Sequence, residues 1–154
     1  MLYTDRPAIY KIACFGWQLP NIEHETFIYS ISEQYREPGD PIIAPRFLGH
    51  VAENGRVIGM LLEKLEGDFA SKGEGDLPAC KEALQNFHRM NLIHGDINRY
   101  NFVIDREKEP VSVRLVDFEH AEPFQEEMAR VEIESLPSEL MEMTGRGGTA
   151  VRAA

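Results

Sequence analysis

The side chains best suited to chemistry stand in His94-Gly95-Asp96-Ile97-Asn98-Arg99-Tyr100-Asn101, followed by the apolar run Phe102-Val103-Ile104. An acid is followed five residues later by an amide, and then by a short strand. A second acid comes in Asp117-Phe118-Glu119, reached through Val113-Arg114-Leu115-Val116. Oxygens in this order suit phosphoryl transfer, which needs positioning and charge neutralisation more than covalent chemistry. Asp96 would face an acceptor hydroxyl as base or orienting group. Asn101 and Asp117 offer the hard oxygens that Mg2+ prefers, with water completing its octahedron. A lysine on an early strand would neutralise the α/β-phosphates of ATP, and a glutamate on the next helix would hold that lysine. Lys11 and Glu25 are placed for those roles; Glu23, one position off the expected face, is the alternative partner.

The elements that must position these groups follow from pattern. Ala8 to Phe15 alternates as a strand, with Lys11 its only charge. Asn21 is a plausible N-cap for a helix with Glu23 and Glu25 in its first turn and Phe27, Ile28, Ile31 and Tyr35 as its stripe. Pro38-Gly39-Asp40-Pro41 stops it. Strands Arg46 to Val51 and Val57 to Leu62 flank Asn54-Gly55, a strong hairpin signal because both residues tolerate positive φ. A polar connection runs to Gly75, and Asp76 caps a helix whose stripe is Leu77, Cys80, Leu84, Phe87 and Met90. A second hairpin, Phe102 to Asp105 and Val111 to Val116, turns through a charged segment and returns Asp117 beside Asn101. From Glu122 a helical pattern carries Phe124, Met128, Val131 and Ile133 on one side, with Pro137 expected to break it and a frayed end from Gly145.

The 154-residue chain has 43% hydrophobic and 27% charged residues, enough for a buried core. Its net charge of -10 argues against nucleic acid, and mildly favours a cationic acceptor. Much of the acidity lies late, in eight acids against Arg130 alone between Glu119 and Glu142. Cys14 and Cys80, far apart in apolar patterns, are expected as buried reduced thiols. The start has no basic segment followed by an apolar one, and no run approaches the roughly 18 apolar residues of a membrane span, so a cytoplasmic protein without a membrane partner is expected. The histidines show no zinc-ligand spacing, and His94 is expected to pack its loop rather than act as a base.

This order of parts resembles the protein-kinase-like superfamily. His94-Gly95-Asp96 with Asn101 matches the kinase catalytic loop, and Asp117-Phe118-Glu119 occupies the place of Asp-Phe-Gly. His-Gly-Asp, the non-lysine Asn98 and Asp-Phe-Glu look like the aminoglycoside phosphotransferase and choline kinase branch, which phosphorylates small molecules. The resemblance implies Asp96 and Asn98 as catalytic-loop groups, Lys11 and Glu25 at the ATP phosphates, and Asn101 and Asp117 at magnesium. It also implies an adenine-binding hinge at Leu62, Glu63, Lys64 and Leu65. The implied fold is α+β, a minimal two-lobed kinase-like form: a small antiparallel sheet plus one helix, then a helix, the catalytic loop and a β-hairpin. Its expected parts are a reduced first lobe at 1–62, a hinge and connection at 63–75, the second-lobe core at 76–124, and an acidic helical tail at 125–154. No glycine precedes Gly16 to form a phosphate-covering loop, and 37 residues follow Asp117. A homodimer or a partner protein covering the shortened lobe is therefore expected, and a nucleotide-dependent binding module without efficient catalysis is the alternative to a kinase.

Overall fold

A computed structural model describes residues 7–73 and 75–142. The start, Met1 to Arg6, and the expected frayed end from Gly145 lie outside the described residues. The first sheet is antiparallel, with β1 (Ala8–Ile12), β2 (Phe47–Glu53) and β3 (Arg56–Glu63) in the order β1-β3-β2. The β2–β3 turn has Asn54 and Gly55 at φ 50° and 76°, the left-handed pair that matches strand twist. Gly59 permits the close approach of β3 to β1, since a Cβ there would lie 2.3 Å from the Lys11 carbonyl oxygen. The register pairs Lys11 with Met60.

The helix α1 (Leu19–Gln34) packs on this sheet. It begins two residues before Asn21, after a short 3-10 turn at Gly16–Gln18, so Asn21 lies inside the first turn and is not the cap. The strand expected through Phe15 ends at Ile12. The buried face of α1 is Ile22, Glu25, Ile28, Tyr29 and Ser32, while Phe27 and Tyr35 are exposed. An apolar count misplaces this face because the helix turns a glutamate and a serine inward.

The connection after β3 contains a two-residue strand, β4 (Asp68–Phe69), which joins β6 (Phe102–Asp105) and β7 (Ser112–Leu115) in a second sheet ordered β4-β6-β7. Helix α2 (Leu77–Arg89) buries Cys80, Ala83, Leu84 and Phe87. Asp76 makes no capping bond with its side chain; the carboxylate instead takes both Arg106 guanidinium nitrogens at 2.7 and 2.6 Å, and Ser71. Those bonds hold its carboxyl well below the usual carboxylate range, with burial opposing them. β5 (Leu92–Ile93) pairs with β8 (Glu122–Pro123), so the helix expected from Glu122 starts only at Glu126.

Helix α3 (Glu126–Leu140) departs furthest from expectation. Its Leu136 and Leu140 are fully buried in the core. Pro137 does not break it: the proline lies on the exposed side of the last turn, where water can satisfy the carbonyl it leaves unpaired. Its buried face is Ala129, Glu132, Leu136 and Leu140, while Phe124, Met128 and Val131 lie outside. Cys14 is exposed rather than buried, whereas burial pushes the Cys80 thiol up to about 12. Among the described residues no helix is long and apolar enough to cross a membrane.

Candidate active site

The 3-10 turn at Arg99–Asn101 begins with Asn98, whose side-chain oxygen accepts from the Tyr100 amide at 3.0 Å. Its side-chain nitrogen donates to the Asp96 carbonyl at 3.3 Å, and the residue is 4% exposed. Asn98, expected as a catalytic-loop group, is buried with both ends of its amide engaged inside the loop. Asn101 donates from Nδ2 to the same carbonyl at 2.8 Å, which leaves its amide oxygen on the other side. The Val116 amide donates to the Asn101 carbonyl at 3.0 Å, so the hairpin brings the segment before Asp117 alongside Asn101. Asp117 itself sits at φ 64°, a left-handed turn that ends the return from β7.

Opposite this turn, Lys11 Nζ is 2.6 Å from Glu25 Oε2 and 3.3 Å from Asp117 Oδ1. Glu25 Oε1 accepts from the Phe118 amide at 3.3 Å. Three chain segments thus meet in one charged network, and Glu25, not Glu23, faces the lysine. Burial pulls the Lys11 pKa down, but the charges of Glu25 and Asp117 outweigh it, and the ammonium is held above its ordinary value. Glu25 is 2% exposed, and its burial pushes the carboxyl up despite Lys11. The two shifts pull differently on one pair; the lysine is the better-hydrated partner, so the pair is a firmly charged Lys11 against a carboxylate that gains protons readily.

The loop rests on an aromatic floor. The Phe118 ring lies 4.7 Å from Tyr29, 5.1 Å from Phe87 and 5.6 Å from His94. His94 is fully buried and burial lowers its pKa. A neutral ring with its proton on Nε2 satisfies both neighbours, donating to the Val116 carbonyl at 2.9 Å and accepting from the Asp96 amide at 3.3 Å. Gly95 has φ 80°, and a Cβ there would lie 2.1 Å from the His120 carbonyl oxygen. Only glycine fits between His94 and Asp96 in this fold.

One supporting residue escapes sequence reasoning. Glu132 on α3 accepts from the Gly95 amide at 2.7 Å, the His94 amide at 3.2 Å and His88 Nε2 at 2.8 Å. Burial pushes this carboxyl up, but the bonds from His88 and the two amides outweigh burial and leave it below its ordinary value. Glu119, which stands where the kinase motif has glycine and is open from sequence to a structural role or to adding an oxygen near the metal, accepts from Asn21 Nδ2 at 2.6 Å.

In the expected hinge, Leu62 is buried and Glu63 takes Arg114 at 2.8 Å. The Glu63 amide donates to the Arg46 carbonyl and the Lys64 amide to the Pro7 carbonyl. A cavity of about 170 Å³ lies where Glu63, Lys64, Leu65 and Glu66 pass Val103 and Arg114. A larger cavity, about 300 Å³, is lined by Tyr35, Arg36, Ile42, Arg89 and Met90 and includes none of Lys11, Glu25, Asp96, Asn101 and Asp117.

No protein-family model and no curated protein sequence matches this chain. Among solved structures it is similar to the kinase PK-1 of Cydia pomonella granulovirus, with a TM-score of 0.61 at 12% identity, covering 90% of this chain. The chain spans 60% of the length of that kinase. At this identity the likeness concerns the fold, and it agrees with the order of sheet, helix, loop and hairpin above. The chain has a kinase-like fold.

Proposed function

We propose that the chain is a phosphotransferase that moves the γ-phosphoryl group of ATP to a hydroxyl of a small molecule, in the manner of the aminoglycoside phosphotransferase and choline kinase branch. The observation that carries this reading is the ion network of Lys11 with Glu25 and Asp117, 2.6 and 3.3 Å apart, at the turn that flanks Asn101. Lys11 would hold the α/β-phosphates, with Glu25 aiming it. The chain at residues 63–65 would receive the adenine through its carbonyls, the Glu63 and Lys64 amides being already donated to Arg46 and Pro7. Asp96 would orient the acceptor hydroxyl and take its proton as the oxygen–phosphorus bond forms. The donor set of one amide and one carboxylate oxygen suits Mg2+, and Asn101 and Asp117 are the residues that would hold it. Bound there, the ion would neutralise charge on the phosphates. The acidic balance of the chain suits a cationic acceptor.

Calorimetry with Mg·ATP tests the reading. Binding at millimolar nucleotide that weakens in Lys11→Met supports it, and no heat at that concentration excludes it. A second reading, a nucleotide-dependent protein-binding module, is favoured by the outer side of α3, where Met128 and Val131 are 43% and 44% exposed beside acidic residues. That reading keeps nucleotide binding and gives no transfer to any hydroxyl.

A further inference from the structure

The segment after Asp117 carries one carboxylate that the proposed chemistry does not use. Glu119 Oε1 accepts from Asn21 Nδ2 at 2.6 Å across 98 positions of chain. One turn along α1, His24 Nε2 is 2.7 Å from the Ala121 carbonyl oxygen. Beside it, Glu25 Oε1 accepts from the Phe118 amide at 3.3 Å. Residues 118, 119 and 121 therefore each grip one residue in the first two turns of α1. At this end Ile22 packs into the core, but the N-cap, Gln18, makes no side-chain capping bond, and no acid stands in the first turn. The Glu119 carboxylate adds a bond to this turn through the Asn21 side chain.

We infer that Glu119 is a positioning residue for Lys11. By holding Asn21 it fixes the first turn of α1, and with it Glu25 on the lysine; the consequence for phosphate binding rests on the function proposed above. Glu119 acts through α1 and not as a further metal oxygen. The latch also makes the Lys11–Glu25 pair a built-in state of the fold, independent of bound nucleotide.

The test uses the full chain with Asn21→Ala, Glu119→Ala and the double exchange Asn21→Asp with Glu119→Gln, which reverses donor and acceptor at unchanged lengths. The first readout is amide hydrogen exchange across α1 without nucleotide. Each alanine variant is expected to speed exchange in the first two turns by about 2- to 12-fold, the range of one lost hydrogen bond. The double exchange is expected to restore it. The second readout is Mg·ATP affinity, expected to fall by the same factor in both alanine variants with the Mg2+ midpoint unmoved. Unchanged exchange in both variants overturns the inference, as does an Mg2+ midpoint that moves in Glu119→Ala but not in Asn21→Ala. If the unaltered chain binds no Mg·ATP, the phosphotransfer reading falls, while the exchange readout still decides the latch.

Discussion

Lys11 and the loop from His94 to Asn101 converge on the turn at Asp117 from opposite halves of the chain, and their surroundings differ. The loop is backed by fully buried rings, by Asn98 across its own backbone, and by Glu132 on its first two amides. Lys11 lies on a strand whose other edge has no partner among the described residues, and its side chain is 39% exposed. Its position depends on two charges rather than on packing. The half that would hold acceptor and metal is thus set by packing and buried bonds, whereas the half that would hold the phosphates is set by ion pairing. Packed positions resist change in salt and pH; ion-paired ones follow both.

Five substitutions sharpen this contrast. Asp96→Asn is expected to lower phosphoryl transfer by about 10²–10⁴-fold while leaving the unfolding midpoint in urea nearly unchanged, since among the described residues the loop is held through the Asp96 backbone and not its carboxylate. A comparable loss of stability would mean that the carboxylate is structural. Glu132→Ala is expected to cost about 1–3 kcal/mol in the same unfolding measurement, because it leaves the His94 and Gly95 amides and His88 without their acceptor. A cost below about 1 kcal/mol would show that the loop is held by its own bonds.

Lys11→Met probes the other half through pH. Glu25 has a folded pKa raised above its ordinary value, so its ionised form weighs against folding. Stability then falls as pH rises from the ordinary carboxylate value through the folded value, and removing Lys11 deepens that fall. The slope is expected to reach at most about 1.4 kcal/mol per pH unit, and Lys11→Met with Glu25→Gln is expected to abolish it. A flat profile in the single variant would sink the ion-paired account. Gly55→Ala, in the β2–β3 turn at φ 76°, is expected to cost about 1–2 kcal/mol in thermal unfolding with no effect on the Asp96 loop. A change in transfer rate there would show that the two halves are coupled through the sheet.

What the sequence makes legible divides along similar lines. The Asn54-Gly55 hairpin, the stripe of α2 and the return from Phe102 to Leu115 are local patterns, and local patterns survive folding. The pairing of Lys11 with Glu25 was also accessible, because the spacing of strand and helix confines the partner to two glutamates. The inward face of α1 was not, since Glu25 and Ser32 take places that hydrophobic counting assigns to Phe27 and Tyr35. Glu132 could not be singled out, being one acid among many; its role depends on where α3 docks. The bonds of Asn98 to Tyr100 and Asp96 depend on how the loop closes and are not readable from an amide two residues after an acid.

The two cysteines have a practical consequence. With the Cys80 thiol buried and pushed up to about 12, and Cys14 exposed two residues beyond β1, a mild alkylating reagent near neutral pH would find one partner. The native chain thus carries its own attachment point for a spectroscopic tag, three residues from the lysine whose surroundings most need watching.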